Sequence, residues 1–387
     1  MAGVGFELKK LFRARTVAGY LKAYSFSALI TTGPFILLTG MVLVVQLLFL
    51  WFQVPSYEND IFVASTVYAF IFSQIFSSGF VKVVTRYLSD CISTDNYNDL
   101  TASCFGLIAI LLFLGSIIAA IFLWNSPLLF GEKLGAYLFF SLLMIIEAES
   151  LYLTAVKKFK PLIWGFAIGV SLSIVSIYFM LKYLTLQPTI AAFLGITGGL
   201  TVISGFFMIQ IIRFFGMPRK GRHFAFLPYF DREWRLFLYA ILFSGGIFLP
   251  NIIIWTSPSW GVTVAGTYRY APLYDIVTFY AFLSMLPMMI IFVVYMETRF
   301  YETYFNYFQA ITRKGNFNDI EAMRKTMVHT LGFELRSSME FQFLFTILFL
   351  SCGTYILSWV HIETQAVNMF DVLLMAVYFV GVFQILG

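Results

Sequence analysis

The sequence predicts an all-α polytopic membrane protein, and three observations carry that prediction. First, 60% of the 387 residues are apolar, 19% are aromatic and only 12% are Asp, Glu, Lys or Arg, against roughly 25% charged residues in average soluble proteins. Second, the apolar residues gather into ten runs, each long enough to cross a hydrocarbon core about 30 Å thick. They lie at 25–53, 60–85, 100–124, 134–156, 161–184, 189–213, 236–256, 271–297, 341–360 and 366–386. The runs are continuous rather than alternating, so helices, which close their backbone hydrogen bonds internally, fit better than a barrel. Third, the basic residues sort by side. With the N-terminus inside, Lys133, Lys182 and Arg269 are the only ones of the 25 Lys and Arg on the outer face, as the positive-inside rule requires. The net charge of +5 then has a topological origin, and no nucleic-acid partner is needed to explain it.

Taken in order, residues 1–24 form a basic cytoplasmic segment. Leu8, Leu11 and Phe12 fall at helical spacing among Lys9, Lys10 and Arg13, which reads as a short helix on the inner surface. It serves either as a topogenic anchor or as a docking site. Its features are not those of a cleavable signal, because the apolar stretch that follows is about twice the usual 7–15 residues. The first run opens with YSFSALITTGPF, a polar and breakable start in which Gly33 and Pro34 free backbone groups inside the span. Neighbouring helices or the hydroxyls of Ser27, Thr31 and Thr32 can satisfy them. The site is either a packing kink or a bending point that lets a lobe open to alternate sides.

In the second run Gln74, Ser78, Lys82 and Arg86 are successively four apart and form one stripe. Lys82 and Arg86 snorkel at the inner surface, or mark a cytoplasmic entrance or partner contact together with Lys157 and Lys158. The fourth run carries Glu147 and Glu149, about 200° apart on a helix. Glu147 continues into Ser150, Thr154 and Lys158 as a polar stripe fit to line a cavity, while Glu149 faces another helix or the inner surface. Charges within spans are costly and usually face protein or water, so Glu147, Ser150, Thr154, Gln74 and, in the eighth run, Asp275 are the transport-path candidates. Asp275 can instead pair locally with Arg269.

A basic cytoplasmic linker at 216–235 separates an N-lobe, 25–215, from a C-lobe, 236–387. The seventh run, LYAILFSGGIFLPNIIIW, loosely echoes AYSFSALITTGPFILL. Gly245, Gly246 and Pro250 are therefore hinge candidates beside Gly33 and Pro34. The repeat implies two pseudo-symmetric six-helix lobes, hence twelve spans, of which ten are visible and two are expected beyond residue 387. Between the eighth and ninth runs, Asn318 and Glu321 are spaced as a capping box. Ile320, Met323, Met327 and Leu331 then make an apolar stripe that lies on the membrane or binds a soluble partner. Cys91, Cys104 and Cys352 have no metal-ligand spacing. No hydrolytic triad, P-loop or dinucleotide fingerprint is present, so neither an enzyme nor a cofactor is expected.

The start MAGVGFELKKLF, followed by AYSFSALITTGPF, resembles the N-terminus of PelG-like proteins, the inner-membrane exporters of the Pel exopolysaccharide. Span layout and the basic central loop are similar along the whole chain. The resemblance implies two six-helix lobes around a central cavity, as in flippases and multidrug exporters, and movement of a hexosamine-rich polymer across the cytoplasmic membrane. It also implies a complex with a cytoplasmic glycosyltransferase, a membrane protein that senses cyclic di-GMP and a further membrane subunit. Flipping of a lipid-linked glycan and ion-coupled multidrug antiport are the alternatives on the same architecture. A membrane scaffold holding a glycosyltransferase is a third.

Overall fold

A computed structural model describes residues 24–25, 27–29, 32–156, 159–218, 222–312, 315–359 and 365–386. The predicted N-terminal surface helix, Lys157 and Lys158 lie outside these residues. The described chain is helical apart from one two-stranded hairpin. Among the described residues Pro34–Ala271 packs as one compact unit, and the chain from Pro272 onward belongs to another. Among the described residues eight helical stretches are long and apolar enough to cross a membrane, the eighth being Pro272–Thr312, and they coincide with the first eight apolar runs.

The larger unit contains α1 (Gly33–Trp51), α2 (Ser56–Ser93), α3 (Leu100–Leu123), α4 (Phe130–Ala155), α5 (Phe159–Tyr183) and α6 (Pro188–Phe215). A short α7 (Leu227–Arg232) and α8 (Trp234–Trp255) follow. Residues 24–25 and 27–29 are helical, and α1 runs from Gly33 with Pro34 in its first turn. That position tolerates proline, because its missing N–H has no intrahelical acceptor there. Helix α2 runs for 38 residues, about 57 Å at 1.5 Å per residue, and so extends beyond any bilayer. Its projecting end carries Arg86 and Asp90.

Helices α5 and α6 pair by close backbone approach. A Cβ on Gly199 would lie 1.9 Å from Ser173 Oγ, and one on Gly169 would lie 2.2 Å from the Ile203 side chain. Small residues at such crossings let dispersion and backbone contacts replace the missing hydrophobic drive within lipid. Large buried rings fill the rest of the unit's interior, among them Phe49, Phe62, Phe139, Phe193 and Phe207.

The described residues of the linker are held against the helices. Thr101 Oγ1 donates to the Gly216 carbonyl at 2.8 Å, Arg222 pairs with Asp99 at 2.8 Å, and Tyr229 donates to Asp90 at 3.1 Å. Phe226 is fully buried. Gly106 is a glycine because the His223 carbonyl oxygen would lie 1.9 Å from any Cβ there.

The strand pair β1 (Val262–Val264) and β2 (Tyr268–Tyr270) was not anticipated from the sequence. It is antiparallel, with Val262 opposite Tyr270 and Val264 opposite Tyr268. Ala265 and Gly266 both take positive φ, 48° and 59°, which suits the twist of a tight hairpin. Tyr268 and Tyr270 point inward, and Tyr68 of α2 stacks on Trp255 with ring centroids 4.8 Å apart. The Tyr68 hydroxyl donates to the Arg269 carbonyl and accepts from its N–H, at 2.9 and 3.1 Å.

The second unit holds α9 (Pro272–Leu283), α10 (Leu286–Tyr295), a π-turn (Met296–Phe300), α11 (Tyr301–Thr312), α12 (Phe317–Trp359) and α13 (Gln365–Leu386). The eighth run is therefore interrupted near Ser284. Pro287 cannot donate to residue 283 and crowds that carbonyl. The chain instead makes tighter bonds, Ser284 N–H to Ala281 and Met285 N–H to Phe282. Val277, Ala281, Met285, Met288, Phe370, Leu374 and Val377 form this unit's core.

One expectation for the 299–338 segment is corrected. Residues 317–335 open α12, which continues for 43 residues into the ninth apolar run. The capping box is absent, since the helix begins at Phe317 and Glu321 turns forward to Arg324 and Lys325, at 3.0 and 3.8 Å. Of the predicted apolar stripe, Ile320, Met327 and Leu331 are half-buried, with α11 packed along α12, and Met323 remains exposed.

Candidate functional site

The carboxylates of α4 sit on two different interfaces of the larger unit. Glu147 faces α2, where Ser77 donates its hydroxyl to Glu147 Oε2. Ser77 is fully buried and also donates to the Ser73 carbonyl one turn earlier, at 2.6 Å. Ser78 points instead toward α8, reaching the Ala240 carbonyl at 3.2 Å and its own Ile75 carbonyl at 2.8 Å. Ser77 and Ser78 thus link α2 to α4 and to α8 in a short polar lane. Helix α8 approaches α2 closely here, with Phe237 and Ile241 against Gly79.

Glu149, about 200° around α4 from Glu147, lies against α6 and accepts from Ser204 at 3.0 Å. The remaining path candidates are dispersed. Gln74 is exposed, and Ser150 and Thr154 are half-buried, with Thr154 donating back to the Leu151 carbonyl at 2.9 Å. Asp275 is half-buried in the first turn of α9 in the other unit. Lys82 and Arg86 are exposed on the projecting end of α2, where Arg86 comes within 4.0 Å of Asp90.

The hinge candidates take two forms. The compact units part between Gly33 and Pro34 and again between Ala271 and Pro272. Gly245, Gly246 and Pro250 lie within an unbroken α8. A Cβ at Gly33, Gly245 or Gly246 would meet nothing within 4 Å, so crowding does not explain these glycines.

Reading the sequence by stripes missed Ser77, because it is one residue off the Gln74–Arg86 register. It missed Ser204 because nothing local marks which serine on α6 faces a carboxylate. Ser73 and Ser77, four apart in an apolar helix, were the available signal. Outside the spans, burial first and then the neighbouring Asp90 raise the Tyr229 hydroxyl above its ordinary range. That phenol stays a neutral donor where the linker meets α2. Among the described residues no group of three or more His, Cys, Asp or Glu is placed to hold a metal ion.

The chain matches, over residues 1–387, the family described as "PelG: Putative exopolysaccharide Exporter (EPS-E)". No curated protein matches it.

Proposed function

The chain belongs to the PelG family of exopolysaccharide exporters, and from that premise we propose that it moves a hexosamine-rich polymer through the larger unit along the α2–α4–α8 lane. The observation that carries this reading is the family match across the whole chain. The contact of buried Ser77 with half-buried Glu147 supports a path there, because charge inside a membrane-crossing helix is costly and usually faces protein or water. An acidic lane would suit a polymer bearing free amines. On this reading the protein resides in the cytoplasmic membrane with its N-terminus inside. A cytoplasmic glycosyltransferase feeds the polymer, alongside the cyclic di-GMP sensor and the further membrane subunit that the family resemblance implies. Lys82 and Arg86, exposed one and two turns beyond Ser78 on α2, would serve as that entrance.

The test is secreted amino-sugar polymer from a knockout strain complemented with wild type or with Glu147→Gln. Restoration by wild type and not by the variant, at equal membrane abundance and with partner binding intact, places α4 in the conduit. Normal secretion by the knockout itself would overturn the export reading for that polymer. Altered drug sensitivity in that strain would then favour the ion-coupled antiporter.

A further inference from the structure

Helix α6 carries glycine on two faces. Gly195 and Gly199 are accounted for by the crossing with α5, where a Cβ would lie 2.3 Å from the Ile177 side chain and 1.9 Å from Ser173 Oγ. Gly198 and Gly205 are exposed, and among the described residues a Cβ at either would meet nothing within 4 Å. Glycine inside a helix is destabilising relative to alanine, and no close approach within this chain offsets that at these two positions. Thr201, also exposed, stands between them. Small residues therefore recur at 198, 201 and 205 along one face.

That face borders a groove of about 490 Å³ where α3, α4 and α6 come together. Leu112, Ser141 and Gly198 line it, each close to the midpoint of its helix. Leu138 and Leu194 line it too and are exposed, so it opens at the surface of the unit. No charged residue contributes to the lining. Two of its hydroxyls are bonded within α6: Thr197 donates to the Phe193 carbonyl and Thr201 to the Thr197 carbonyl, both at 2.7 Å. Ser141 differs, being only 3% exposed, with an Oγ that is buried and has no hydrogen-bond partner.

An occupant of this groove must be uncharged, to match the lining. It must also offer Ser141 a hydrogen bond, which is costly to leave unmade in hydrocarbon, and it must gain from glycine at the contact. A lipid acyl chain is uncharged but has neither donor nor acceptor. A second copy of the same face is concave like the first, so an isologous contact would set groove against groove. A transmembrane helix meets every condition. It is convex, its backbone approaches closely over small residues, and its hydroxyl or carbonyl groups reach a serine across the contact. We propose that the α3–α4–α6 groove is a docking site for an uncharged transmembrane helix of a second membrane protein, packed on Gly198 and Gly205 and hydrogen-bonded to Ser141. The proposal goes beyond the export reading and does not rest on it.

The experiment puts the photoreactive residue benzoylphenylalanine into the full chain in intact membranes. It replaces Leu138 or Leu194 of the groove, or, as a control, Leu172, exposed on α5. Mass spectrometry of the digested adducts then reads which peptide was captured. The expected result is the same apolar span of a second membrane protein from both groove positions and not from the control. That span, made as a synthetic peptide, should bind the wild-type chain in phosphatidylcholine nanodiscs. It should bind Gly198→Leu about tenfold more weakly, because the leucine overpacks a close contact. Ser141→Ala should weaken binding about threefold, the usual worth of a hydrogen bond between membrane helices. Position 198 has open space around it within this chain, so loss of binding by Gly198→Leu is not a loss of fold. Adducts to phospholipid alone, adducts between two copies of this chain, or no adduct would each overturn the docking site. Equal binding to wild type and Gly198→Leu would overturn it as well. Neither readout uses polymer secretion, so failure of this site is distinguishable from failure of the export reading.

Discussion

Single residues in this protein are judged by what they would leave behind inside a low-dielectric interior. Ser77 supplies a hydroxyl to Glu147, so Ser77→Ala leaves a carboxylate oxygen short of a donor. We expect a loss of about 1–3 kcal/mol, the cost of stranding a buried acceptor, read as a lowered thermal midpoint in detergent. Replacing both partners, Ser77→Ala with Glu147→Leu, should recover most of that loss, since removing an entire pair is much cheaper than removing half of one. Gly106 is the other decisive position. Gly106→Ala must displace the His223 carbonyl, whose oxygen would lie 1.9 Å from the new Cβ. Overpacking of this kind costs about 1–3 kcal/mol. Faster proteolysis between residues 216 and 226 is the expected signature, because the strain falls on the linker's attachment and not on the helix core.

At the scale of elements, charge decides the free helix ends and packing decides the rest. The Arg324 guanidinium, hydrogen-bonded to Glu321, holds that carboxyl below its usual range, with Lys325 adding to the effect. A depressed acid contributes stability above its unfolded value and loses it as pH falls through the folded one. The first turns of α12 should therefore loosen in acid, seen as rising mobility of a spin label at exposed Val328. Glu321→Gln should flatten that dependence. Helix α12 also shows that the stripe at 317–335 is part of a longer element. Its apolar stripe is real, but α11 packs along α12, and no helix break separates the stripe from the ninth run. The hairpin of β1 and β2 was missed for a related reason. Its three-residue strands are too short to register as periodicity, and Tyr68 and Trp255 help to hold it from distant helices.

For the whole molecule, the question is where it can bend. Packing groups α8 with the first six helices, while the chain parts at Gly33/Pro34 and Ala271/Pro272. Gly245 and Gly246 have open space around them within a continuous helix. Alanine at either should raise stability by up to about 1 kcal/mol through helix propensity. If α8 flexes during transport, the same substitutions should lower polymer export while membrane abundance is unchanged. Stability and export moving in opposite directions would distinguish a working hinge from a passive packing kink.

The sequence by itself determined the solvent of this protein, its helical class and the positions of eight helical stretches long and apolar enough to cross a membrane. Those follow from composition and run length, which are local quantities set by the thickness and polarity of the bilayer. It also singled out Glu147 and Glu149 as residues on opposite faces of one helix, because helical geometry fixes their angle without reference to neighbours. Only the tertiary structure decided that Ser77 and Ser204 are their partners and that the basic linker is folded against α2 and α3. Each of those depends on which faces meet across tens to more than a hundred residues of chain. A stripe in one helix specifies a face, but the partner of that face belongs to another helix.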